Sequence, residues 1–186
     1  MFFKFPLSRG RADYYNVGMN NFAASAPCLA LLTPDHYEAL MALYRSLACL
    51  PGSSWDDSYP DPAETLQDLE EGRVLGLLDE EEHLLAAITL AEGDADFNSK
   101  PFWTDLSPTI ALVRLGVSLP LQNRGVGRQL FLSALEEAKR RGAAGVRFMV
   151  DQNYPHAIRL YEGLGCTRVG EGSLYGMDWY FYQVQF

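Results

Sequence analysis

Leu115, Gly116, Val117, Ser118, Leu119, Pro120, Leu121, Gln122, Asn123, Arg124, Gly125, Val126, Gly127 and Arg128 follow one another where this chain passes from an apolar run to an amphipathic one. The run that feeds the stretch, over 109–119, is rich in Ile, Leu and Val and reads as a central strand. The segment that leaves it, over 125–141, sets Val126, Leu130, Phe131, Ala134, Leu135 and Ala138 on one helical stripe. A glycine-punctuated turn between a strand and a helix is the layout of an anion cradle. Gly125 and Gly127 carry no Cβ to hold a ligand off the backbone, so consecutive N–H groups can converge on a phosphate at the positive end of the helix dipole. Arg124 and Arg128 add full charges beside it.

Working outward, Glu136 with Arg140 and Glu137 with Arg141 form i,i+4 pairs on the solvent side of this helix, and Gly142 ends it. A strand follows over 145–151, a helix opened by Pro155 runs to 165, and 167–171 with 179–185 have the content of a hairpin. Upstream, 28–32 reads as a first strand, and Thr33 and Pro34 open a helix that lasts to about 50. A loop carrying Trp55 and Tyr59 leads to a short acidic helix ending near 71, then to strands over 73–78 and 83–91 around a charged turn. Strands that alternate with helices after a β-meander imply an α/β fold (α+β by some schemes), a mixed central sheet with helices on both faces. Residues 1–27 lack periodicity and read as an N-terminal extension, loosely ordered or packed as an arm, ahead of a single domain over 28–186.

With 186 residues, 48% hydrophobic and 21% charged, the chain is large enough to bury a core as one soluble domain. It shows neither a membrane-length apolar run nor a secretory leader, which sets the expectation of a cytoplasmic protein with no membrane partner. Cys28, Cys49 and Cys166 have no disulfide or zinc spacing. A net charge of −9 argues against nucleic-acid binding. The distribution is uneven: 114–147 holds seven basic against two acidic side chains, whereas 55–97 holds fourteen acids against Arg73 alone. One half suits an anionic ligand; the other either attracts a cation or simply keeps the protein soluble.

A second segment, Ala157, Ile158, Arg159, Leu160, Tyr161, Glu162, Gly163, Leu164 and Gly165, lies one βα unit downstream of the turn. Together the two segments resemble the GCN5-related N-acetyltransferase (GNAT) superfamily over 109–166. The resemblance implies the GNAT fold and transfer of an acetyl group from acetyl-CoA to a primary amine by direct attack. The acceptor would be a small-molecule or protein amine; no metal is implied, and a homodimer is left open. It further implies that the pantetheine arm pairs with the main chain of Leu115, Gly116 and Val117, and that the amides of Asn123, Arg124, Gly125, Val126, Gly127 and Arg128 hold the pyrophosphate with Gln122 beside them. Tyr161 matches the family tyrosine that protonates the departing thiolate, a role that suits a phenol protonated at neutral pH. The family asparagine slot is filled by Tyr154, with Asn153 one position earlier as the pantetheine contact, and the usual aromatic after Leu164-Gly165 is Cys166. No general base is assigned among Glu92, Asp151 and Ser118.

Other patterns are excluded. The turn lacks the third glycine of a dinucleotide fingerprint and the chain has no P-loop, which disfavours an oxidoreductase or nucleotide triphosphatase. Asp94, Asp96 and Asn98 begin like a calcium loop, but Ser99 and Asp105 stand where its Gly and bidentate Glu belong. His36, His83 and His156 have no ligand spacing, and solvated or capping roles are expected for them. Trp55, Tyr59, Tyr175 and Trp179 either wall the acceptor site or anchor loops. The alternative of a different class is a noncatalytic acyl-CoA-binding regulatory module of the same fold.

Overall fold

The computed structural model describes residues 27–48, 50 and 53–186, so the expected extension, apart from Pro27, and Cys49 lie outside the described residues. Seven strands form one sheet: β1 (Cys28–Leu31), β2 (Val74–Leu78), β3 (Leu84–Ala91), β4 (Thr109–Val117), β5 (Gly145–Asp151), β6 (Thr167–Leu174) and β7 (Met177–Gln185). Among the described residues five α-helices accompany them: α1 (Tyr37–Ala48), α2 (Pro62–Glu70), α3 (Ala95–Asn98), α4 (Val126–Arg140) and α5 (Pro155–Gly163). The spatial order is β1-β2-β3-β4-β5-β7-β6, antiparallel throughout except for β4 with β5. That one parallel pair needs a crossover, and α4 supplies it.

Packing follows from the stripes. Val126, Leu130, Phe131, Ala134 and Ala138 of α4 bury against Leu75, Leu77, Ala86 and Ile88 of the sheet, with α5 beside them. On the opposite face Leu40, Met41, Leu43, Tyr44 and Leu47 of α1 cover Val74, Leu78 and Ala87. Strand β2, Val-Leu-Gly-Leu-Leu, is therefore buried along its whole length, as a strand covered on both faces must be. A third cluster, Phe97, Phe102, Trp103, Trp179 and Phe181, seats the segment between β3 and β4 on the outer strands. That segment carries α3, which sequence periodicity does not mark because it is only four residues long and is held by Asp94 accepting from the Phe97 amide (2.8 Å).

Some expected details differ. The first helix opens with a 3-10 turn at Pro34–His36, and the last helix stops at Gly163. The hairpin is longer than its aromatic content suggests, reaching Leu174 and Met177 around Tyr175 and Gly176, both at positive φ (52° and 77°), the geometry that matches strand twist. A tyrosine in that position hides the turn. On α4 the expected pair of Glu136 with Arg140 does not form. Glu137 takes both Arg140 (2.6 Å) and Arg141 (2.8 Å), leaving Glu136 to Lys139 (2.9 Å).

Candidate functional site

The site begins with a failure of pairing. Strands β4 and β5 are joined only at Thr109↔Gly145, Ile110↔Val146 and Ala111↔Arg147. Beyond Ala111, β4 stays with β3 as far as Val117 while β5 stays with β7 as far as Asp151, so a notch opens between them. A bulge in β4 helps to set its shape: Val113 pairs with Thr89 but Gly116 with Ala87, so Arg114 and Leu115 together face Ile88, and Arg114 adopts φ 54°. The Ser118 N–H donates to the Leu85 carbonyl (2.9 Å). Since successive groups of an extended strand point to opposite edges, Val117 turns its N–H and C=O toward the notch.

The turn after β4 lies at the mouth of this notch. Asn123 and Gly125 occupy left-handed backbone conformations (φ 60° and 83°). The first amide to donate along α4 is that of Gln129, to the Gly125 carbonyl (3.0 Å). Among the described residues the six amides of 123–128 have no hydrogen-bond partner, and they gather at the positive end of a helix of 15 residues. Arg124 and Arg128 are exposed and, among the described residues, in no ion pair. A Cβ built on Gly127 would lie 3.5 Å from Val117, 3.9 Å from Leu160 and 4.0 Å from Leu115, so the turn, the β4 edge and α5 converge there. The Gln122 side-chain amide donates back to the Val117 carbonyl (3.1 Å), tying the turn to the strand.

Tyr161 is 7% exposed, its ring packed on Phe148 (4.6 Å between centroids), Phe131 (4.9 Å) and Tyr182 (6.2 Å). Burial pushes its phenol above the ordinary range, which keeps the proton on the oxygen. Its hydroxyl has no hydrogen-bond partner among the described residues. Asn153 is exposed in the turn that leads into α5, its amide held by the Asp151 carboxylate (2.7 Å). Burial pushes the Cys166 thiol up to about 11, the state of an inert packing cysteine. Of the base candidates, Glu92 is 90% exposed beside Arg73, and Asp151 caps its own turn.

The opposite face of the bulge holds what sequence reading missed. Arg114 belongs to the basic half by position, yet it points into the acidic half, where its guanidinium meets Asp68 and Glu64 (3.0 Å) of α2. Burial works against its charge, and Tyr59, Asp68, Tyr44 and Glu64 more than offset that, raising its pKa. Burial likewise raises the Asp68 carboxyl, against the pull of Arg114. The available signal was a single charge inside the apolar strand Thr-Ile-Ala-Leu-Val-Arg-Leu-Gly-Val. The four aromatics divide. Trp55 packs edge-on to Tyr44 and over Gly116, Tyr175 donates to the Asp94 carboxylate, and Tyr59 lies by Arg114, whereas Trp179 is buried in the third cluster with its indole on the Leu174 carbonyl. Asp94 thus caps α3 and accepts from the Tyr175 hydroxyl. His83 sits with Asp79 and Glu81 at the exposed β2–β3 turn, where Asp79 accepts from the backbone of both.

Residues 38–166 match the acetyltransferase (GNAT) family, and the chain belongs to it. It is 32% identical over 126 residues to a mycothiol acetyltransferase of Thermomonospora curvata, an alignment covering 67% of this chain and 40% of that protein. The matched stretches cover 16% and 40% of the lengths of the two mycothiol acetyltransferases that the chain resembles. Its fold is that of a GNAT-family acetyltransferase from Streptococcus agalactiae (TM-score 0.71, 15% identity, 86% and 95% of the two chains). The yncA protein of Salmonella typhimurium, solved with its cofactor acetyl-CoA, is also similar (TM-score 0.67, 20% identity, 87% and 94% covered). Among the described residues no helix is long and apolar enough to cross a membrane.

Proposed function

We propose that the chain is an N-acetyltransferase that moves an acetyl group from acetyl-CoA to a primary amine by direct attack. The observation that carries the reading is the run of six unpartnered amides at 123–128 beside an unpaired strand edge. Such amides are suited to a diphosphate, because unpaired backbone donors and the helix dipole both favour an anion there. Arg124 and Arg128 add attraction at longer range.

Acetyl-CoA supplies the activated acyl carbon. The chain supplies the rest: the Leu115 to Val117 main chain aligns the pantetheine arm, and Gln122 holds the turn against the strand. Asn153 lies at the entrance of α5 as a further contact to the arm. Tyr161 keeps a proton at its phenol oxygen for the departing sulfur, favoured by the burial that raises its pKa. The reading calls for no metal and for a cytoplasmic enzyme. The acidic α2 side favours a cationic small molecule or a protein amine. The likeness to a mycothiol acetyltransferase supports acetyl transfer.

Calorimetry with acetyl-CoA, CoA, NAD and ATP tests the cradle, with binding expected only for the two coenzyme A species. Release of free CoA thiol across a panel of primary amines then tests transfer. Binding with no turnover on any amine would favour a noncatalytic module, and no binding of either coenzyme A species would end both readings.

A further inference from the structure

We infer that Arg114 is a positioning residue, clamped by Asp68 and Glu64 so that the bulge of β4 presents its main chain to the notch; the inference rests on the notch being the acyl-CoA cleft. The guanidinium-bearing side chain is 2% exposed and Asp68 is 3% exposed, so both charges are out of water. Glu64 and Asp68 are four residues apart, one turn of α2, and aim two carboxylates at one cation. Arg73 approaches Asp68 from the start of β2 (3.6 Å), so three elements meet on this pair.

Stability alone does not account for such an arrangement. A buried ion pair is commonly no better than apolar packing of the same volume. Here the buried Arg114 Nε is left without a hydrogen-bond partner among the described residues. Unpaired buried groups are destabilising. Arg114 also holds a left-handed backbone that a non-glycine residue keeps only where its surroundings fix it. What the pair fixes is the phase of the strand. The extra residue turns Gly116 toward Leu47 and Trp55, where a Cβ would come within 2.9 Å and 3.3 Å, and leaves Val117 facing Gly127 and the notch. Without it every group beyond Val113 would exchange edges, and the pantetheine partner would be lost while the turn amides remained.

The test compares two probes on the whole chain by calorimetry: acetyl-CoA, which spans turn and notch, and adenosine 3′-phosphate 5′-diphosphate, which carries the diphosphate without the pantetheine. In Arg114→Gln the ratio of the two dissociation constants, acetyl-CoA over fragment, is expected to rise more than fivefold, with Arg114→Lys restoring part of it. Near-isosteric Asp68→Asn and Glu64→Gln read the same ratio if Arg114→Gln does not fold. A ratio that moves less than fivefold in folded Arg114→Gln, or in Asp68→Asn and Glu64→Gln where Arg114→Gln does not fold, overturns the positioning role, and so does equal weakening of both probes. Failure of the unsubstituted protein to bind either probe would instead remove the acyl-CoA reading beneath it.

Discussion

Tyr161 is the residue on which the proposed chemistry turns, and its surroundings serve two ends. The ring is a core side chain among Phe131, Phe148 and Tyr182, while the same burial keeps the phenol protonated. Tyr161→Phe retains the ring and removes the proton. Turnover is therefore expected to fall by about 10²-fold or more with acetyl-CoA affinity within twofold, measured by thiol release and calorimetry. Because the pKa is raised, the rate should show no descending limb as pH rises through about 10, where an ordinary phenol ionises. Gly127 separates stability from binding in another way. A methyl there meets only ordinary contacts with Val117, Leu160 and Leu115, so Gly127→Ala should stabilise the first turn of α4 by roughly 0.5–1 kcal/mol in denaturant melts. The same methyl protrudes where the β4 edge, α5 and the turn converge, and acetyl-CoA affinity should drop. Gly125 differs from Gly127 in needing its left-handed φ of 83°, which alanine would strain.

Among the elements, α4 carries both the proposed cradle and the crossover, and its last turns are fastened by Glu137. Burial raises this carboxyl, but hydrogen bonds from Arg140 and Arg141 more than reverse that and hold its pKa below the ordinary 4.5. A folded-state pKa that is depressed gives stability present above the unfolded value and lost as pH falls through the folded one. Melting temperature should accordingly decline with acidification below about 4.5, and Glu137→Gln should flatten that part of the curve. Sequence spacing anticipates the Arg141 partner and misassigns Arg140. Both i+3 and i+4 lie within reach on a helix, and only the side-chain surroundings choose between them. The β6–β7 hairpin was likewise legible in type and not in extent, since Tyr175 accepts a backbone that composition alone assigns to Asn or Gly.

For the whole molecule, the divergence of β4 from β5 leaves backbone groups open in the middle of an otherwise continuous sheet. Open amides exchange with solvent, and a ligand seated on them should close them. Saturating acetyl-CoA is expected to slow hydrogen exchange at Val117 and over 123–128, while the β6–β7 pairing, remote from the notch, keeps its rates. Protection confined to other regions would place the ligand elsewhere.

By itself the sequence determined the order of the strands and of the helices other than α3, and it marked the turn at 123–128 as the candidate cradle. Periodicity, glycines and caps act over three or four residues, and the strand at 109–117, the turn and α4 follow from them. It also determined the stripe that buries α4 and the neighbourhood of Tyr161 on α5. Only the tertiary structure decided that β4 and β5 part after three residue pairs, that β4 bulges at Arg114, and that this arginine crosses to the carboxylates of α2. The last of these depends on partners 46 and 50 residues away along the chain, Asp68 and Glu64, and no local pattern records which distant surface a buried charge will meet.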